Sequence, residues 1–202
     1  MLRLRSTEPP FSDAAVAGQA ARLLARAEAI GLWEPAAPVT TLDAAVFVQA
    51  LEAAAAHGIA THAPLDWAVF SEKSPEDFAT WIRAQRDDIS SSPVPELELP
   101  LLERLFGTDR LAAAVGVAGS SLRRYASRER SIPDDVGVRL HLLALVVGDL
   151  AGSYNERGIR RWFERPRSGL GGRAPRDILR DAWDPDDADV VRVAELAAER
   201  AG

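Results

Sequence analysis

The stretch that decides the fold runs from Thr108 to Arg128: Thr-Asp-Arg-Leu-Ala-Ala-Ala-Val-Gly-Val-Ala-Gly-Ser-Ser-Leu-Arg-Arg-Tyr-Ala-Ser-Arg. Leu111, Ala112 and Val115 share one side of a first helix, Thr108–Val115. Ala112 is small, as a residue must be where a second helix crosses closely. Gly116 tolerates the positive φ of a tight turn. Val117, Leu122 and Tyr125 return to the same core along a second helix, 120–128. This is the spacing of a helix-turn-helix. It leaves Ser120, Ser121, Arg123, Arg124, Ser127 and Arg128 on the outer face of the second helix. Such a face suits DNA, because helix-start N–H groups and arginines bind phosphates, and arginine also reads guanine edges. A helical hairpin with a solvated arginine face is the plainer reading of the same residues.

The charge distribution bears on that choice. The chain has 202 residues and a net charge of −6. Residues 1–95 carry 7 basic and 12 acidic groups, and residues 169–202 carry 5 and 8, whereas residues 96–168 carry 12 and 10. Six arginines against Asp109 and Glu129 make 104–130 a cationic island in an acidic chain. The local field, more than the total, governs contact with an anion.

Outward from this segment the pattern is helical, and the expected fold class is all-α. Toward the C-terminus, Pro133-Asp134-Asp135 opens an apolar helix over 136–150. Helices are also predicted over 98–106, 155–164, 175–183 and 185–200. Ser90-Ser91-Ser92-Pro93-Val94-Pro95 punctuates the chain as a linker. Ahead of it, helices are predicted over 14–31, 42–57 and 75–89, the last opened by Ser74-Pro75-Glu76-Asp77. Residues 59–73, with Leu65, Trp67, Val69 and Phe70, read as a short strand or an apolar loop. The expected parts are a helical domain over 1–95, a helix-turn-helix region over 96–149 and a terminal unit over 150–202.

Composition excludes several classes of function. There is no cysteine, hence no disulfide, thiol nucleophile or thiolate metal site. No run of about 18 apolar residues is present, so no membrane-spanning helix is expected. The N-terminus lacks the apolar core of a signal peptide, and a cytoplasmic protein is the default. The chain is not read as an enzyme, and no cofactor or metal is expected. Asp184, Asp186, Asp187 and Asp189 lack the glycine and terminal glutamate of a calcium loop and read as a helix start. His57 and His62 read as surface-loop residues and His141 as a core-edge residue.

A second informative stretch lies near the end. Arg161-Trp162-Phe163-Glu164-Arg165-Pro166 is followed by Leu170-Gly171-Gly172-Arg173-Ala174-Pro175-Arg176-Asp177-Ile178-Leu179. Pro166 stops a helix, Leu170 tucks back, Gly171-Gly172 turns and Pro175 opens a new helix. By itself this is a connector between core helices, with Trp162, Phe163 and Trp183 as core aromatics.

The order Trp-Phe, proline loop, Leu-Gly-Gly, x-x-Pro, Asp-Ile-Leu resembles the toxin-binding domain of the Xre/MbcA/ParS-type antitoxins. The resemblance covers residues from about 101 to 201, roughly half the chain. It implies an antitoxin of a type II pair with a RES-domain, NAD-consuming toxin as partner. It also implies an Xre-like segment that binds operator DNA. Leu170, Gly171, Gly172, Arg173, Ala174 and Pro175 would then lie at or near the toxin-facing surface. A homodimer or a toxin–antitoxin hetero-oligomer is expected. Residues 1–95 have no counterpart in a minimal member, Arg167-Ser168-Gly169 departs from the usual connection, and the last helix leaves little tail beyond it. The alternative is a stand-alone helix-turn-helix regulator whose N-terminal region senses a ligand or a protein.

Overall fold

The computed structural model describes residues 2–59, 74–151 and 153–200. Among these the chain is mostly helical, with ten α-helices and one two-stranded sheet. It divides into two compact units, Met1–Ser92 and Pro93–Gly202.

The first unit opens with β1 (Leu2–Thr7), α1 (Ala14–Ala29) and β2 (Val39–Leu42). The strands pair in parallel, Leu2 opposite Val39 and Thr7 opposite Leu42, with an irregularity between. A parallel pair needs a crossover, and α1 supplies it. Helical spacing alone does not reveal this pair. Its signal is the alternation Leu2-Arg3-Leu4-Arg5, which has a period of two. Because Leu42 closes β2, the next helix, α2 (Ala44–Ala56), starts at Asp43, whose carboxylate accepts from the Val46 N–H at 2.8 Å. Asp13 caps α1 in the same way. Ser74 caps α3 (Pro75–Ser90) through the Asp77 N–H at 3.2 Å. Orphan donors at each helix start are thereby satisfied. Leu23, Leu24, Ile82 and Ile89 are buried where α1 meets α3. Phe11 anchors an aromatic cluster, with ring centroids 5.2 Å from Phe47 and 6.0 Å from Phe78. Residues 60–73, with His62 and the predicted strand or loop, lie outside the described residues.

The second unit contains α4 (Pro95–Phe106), α5 (Thr108–Val115), α6 (Gly119–Ala126), α7 (Asp134–Ala151) and α8 (Glu156–Glu164). A 3₁₀ turn (Ser168–Leu170), α9 (Pro175–Ile178) and α10 (Ala188–Ala198) complete it. Helix α7 is apolar on most of its circumference and takes the central place, with α4, α5, α8 and α10 against it. Trp162, Phe163 and Trp183 are all buried. His141 is buried rather than at a core edge, and its Nδ1 lies 2.5 Å from Glu98 Oε1.

Two predicted helices are shorter than expected. The helix from Pro175 ends at Ile178, and the last begins at Ala188 rather than 185. Between them Asp181 adopts a positive φ of 62°. The physical reason is tertiary: the residues after Leu179 bond to helix α5 instead of continuing their own ladder.

Candidate functional site

Helix α5 ends at Gly116, which is left-handed at φ 72°. An α-helix leaves its last four carbonyls without helical partners. Here each has one. The Ala112 carbonyl accepts from the Val117 N–H at 2.9 Å, and the Ala113 carbonyl from the Asp181 N–H at 3.1 Å. The Ala114 carbonyl accepts from the Trp183 indole at 2.6 Å, and the Val115 carbonyl from the Arg139 guanidinium at 2.5 Å. Three of these four donors come from outside the α5–turn–α6 segment. Arg139 is itself buried and is held by Asp135 one turn earlier on α7. The turn is therefore locked by the central helix and by the 181–183 strap. Gly116 is required twice over. A Cβ there would lie 2.8 Å from the Ala182 nitrogen and closer still to the Asp181 carbonyl.

Leu111, Ala112, Val115, Leu122 and Tyr125 are buried, as the periodicity predicts, whereas Val117, expected in the same core, is half-buried. The opposite face of α6 is open. Ser120, Arg123, Arg124, Ser127 and Arg128 are exposed, and Ser121 is half-buried. Helix α6 stops at Ala126, so Ser127 is its C-cap and Arg128 turns away at φ 58°. Arg123 and Arg124 reach Asp109 and Glu129 only at 4.0 Å, with side chains 66% and 59% exposed. Contacts that long between solvated groups leave the guanidinium donors available. The N-cap of α6, Ala118, offers no side-chain acceptor to the first N–H groups.

The Leu170–Pro175 stretch splits in two. Gly171 and Gly172 take φ of 62° and 82° and lie exposed, with nothing near their missing Cβ atoms. Their glycines serve the backbone angle and not a close approach. Leu170, Ala174 and Pro175 are buried within the unit. Of the six residues expected at or near the toxin-facing surface, these three support the turn from inside, and Gly171, Gly172 and Arg173 are the exposed ones.

Arg173 is exposed but committed. It grips Asp189 with two bonds, Nη1 to Oδ2 at 2.9 Å and Nη2 to Oδ1 at 2.5 Å, tying the turn to the start of α10. The hydrogen bonds raise the Arg173 pKa and lower that of Asp189. The acidic run is thus shared out, since Asp184 accepts from the Asp186 N–H at 2.9 Å. Among the described residues no cluster has the ligands for a metal ion.

The Arg167–Gly169 loop is anchored to the unit although Ser168 and Gly169 are exposed. The Arg167 guanidinium stacks on the Trp162 ring at 4.3 Å and donates to the Trp162 carbonyl at 3.2 Å. Burial is the first cause of its lowered pKa. A Cβ at Gly169 would press on Leu196 at 3.1 Å. Arg139 and Arg167 escape a reading of the sequence, because a lone arginine carries no local sign of a distant carbonyl or ring.

No family model, no curated protein and no solved structure matches the chain. Among the described residues no single helix is long and apolar enough to cross a membrane.

Proposed function

We propose that the protein is an antitoxin that binds operator DNA through α6 and a RES-domain toxin through the terminal unit around the Leu170–Gly172 turn. The observation that carries the reading is the α5–turn–α6 segment. A left-handed glycine, a shared buried face and an open serine–arginine face coincide in the one cationic island of an acidic chain. The toxin assignment rests on the Trp-Phe and Leu-Gly-Gly resemblance, supported by the exposure of Gly171, Gly172 and Arg173.

The mechanism is binding without chemistry. Arginines and helix-start N–H groups on α6 take phosphates and base edges. The exposed glycine turn, stiffened by Arg173 and Asp189, packs against the toxin and restricts its access to NAD. Both roles place the protein in the cytoplasm, and a two-fold dimer fits paired half-sites.

Co-expression with the neighbouring gene product tests this reading, with co-purification and growth rescue as readouts. A RES-domain partner that co-purifies and loses its toxicity is the expected result. A chain that shifts operator-region DNA while no partner co-purifies is a stand-alone regulator instead.

A further inference from the structure

A cavity of about 370 Å³ opens in the second unit, between α5, α8 and α9. It is separate from the α6 face and from the Gly171–Gly172 turn. Its floor is apolar: Phe106, Leu143, Phe163 and Leu179, with Ala113 and Ala114 along one wall. Phe106 and Phe163 meet edge to face with centroids 5.0 Å apart, which fixes the floor. The volume falls within the range of small-molecule sites, about 300–1,000 Å³.

The mouth is charged. Four arginines line it: Arg110, Arg160, Arg176 and Arg180. Three acids line it as well, and each has its own arginine. Glu164 lies 3.5 Å from Arg110, Asp177 3.6 Å from Arg176, and Asp181 3.3 Å from Arg180. Arg160 has no acid of its own within the lining, and its ion pair is with Glu156 on the same helix. Its Nη1 donates to the Leu105 carbonyl at 2.9 Å, which holds the guanidinium in place. Its carboxylate neighbour, Glu156, stands 3.8 Å away and outside the lining. A guanidinium has five donors, so most of those on Arg160 remain for a ligand.

We propose that this cavity binds a small amphiphilic anion, with its apolar body on the aromatic floor and its carboxylate or sulfonate on Arg160. A cation would gain nothing from the free N–H donors of Arg160, and a fully polar anion would leave the floor wet. The site touches the lock on the helix-turn-helix, because Ala113, Ala114 and Asp181 belong to both. Occupancy therefore bears directly on the end of α5. The inference concerns the purified chain alone and stands whether or not a toxin or an operator is found.

The test is calorimetric titration of the full chain with sodium decanoate below its micelle concentration, beside 1-decanol as the uncharged control. Decanoate is expected to bind once per chain and more tightly than decanol. Ala113→Trp, which fills the cavity from an exposed helix position, should abolish binding of both. Arg160→Gln removes the charge and should weaken decanoate by about tenfold, one charge-assisted hydrogen bond, while leaving decanol unchanged. Absence of binding overturns the proposal. So does decanoate binding that survives Ala113→Trp, or equal affinities for acid and alcohol. If Ala113→Trp does not fold, Arg160→Gln with the two ligands decides alone: an equal loss for both, or for neither, overturns it.

Discussion

The Trp183 indole donates to the Ala114 carbonyl at 2.6 Å, across 69 residues of sequence. This bond joins the 181–183 strap to the last turn of α5. Trp183→Phe keeps an aromatic ring but orphans the carbonyl. The expected cost is about 1–3 kcal/mol, the penalty for an unsatisfied part-buried acceptor. Urea denaturation against wild type measures it. A variant as stable as wild type would show that water replaces the indole without loss.

Gly116 and Gly171 separate two reasons for glycine. Both have positive φ, but only Gly116 faces backbone within contact range. Gly171→Ala should cost about 1–2 kcal/mol, the left-handed penalty alone. Gly116→Ala should cost clearly more, because the strap at Asp181–Ala182 must also move. Thermal melting of the two variants side by side gives the order. Equal losses would mean that the strap yields freely.

The Arg173–Asp189 pair makes stability depend on pH. The folded pKa of Asp189 is lowered by its hydrogen bonds to Arg173. Such a carboxylate adds stability above its unfolded pKa of about 3.9, and that stability disappears as pH falls through the folded value. The raised pKa of Arg173 keeps it charged throughout that window. Wild type should therefore melt above Asp189→Asn at pH 7, and the gap should close as the pH is lowered past about 4. A gap that is constant from pH 7 to pH 3 contradicts the assignment.

Glu98 of α4 and His141 of α7 form a buried polar pair, and Glu98 also accepts from the Val94 N–H at 3.3 Å. Among the described residues its second oxygen, Oε2, has no partner. Removing His141 takes a hydrogen-bond partner from a buried carboxyl group, at a cost of about 1–3 kcal/mol. His141→Ala should therefore be destabilising by about that amount. Adding Glu98→Leu should recover part of the loss, read as coupling in a double-mutant cycle. Strictly additive losses would show that the pair is not coupled.

Much of the fold is written locally. Asp13, Ser74 and Asn155 each announce a helix start with a side chain that caps it, and all three are used so. The buried face of the α5–α6 segment follows from helical spacing alone. What escapes has a non-local cause. Strand β1 is short, and its pairing with β2 spans the whole of α1. The residues from Pro175 to Trp183 have a helical pattern throughout. Their helix stops at Ile178 because the Asp181 N–H and the Trp183 indole are drawn to α5. At the glycine turn, spacing identifies where the chain bends but not which side chains face out. Ala174 and Pro175 are buried because they pack under the turn, and Arg173 is held by a residue on α10.

The most direct measurement is fluorescence anisotropy of duplex DNA from upstream of the protein's own gene, titrated with wild type and with the Arg123→Ala/Arg124→Ala double variant over a range of salt concentrations. Both side chains are exposed, so the variant should fold as wild type does. Binding through α6 predicts weaker affinity for the variant. It also predicts a shallower salt dependence, by about 0.9 in log–log slope for each phosphate that is no longer neutralised. Unchanged affinity with an unchanged slope would contradict the assignment of α6 to DNA.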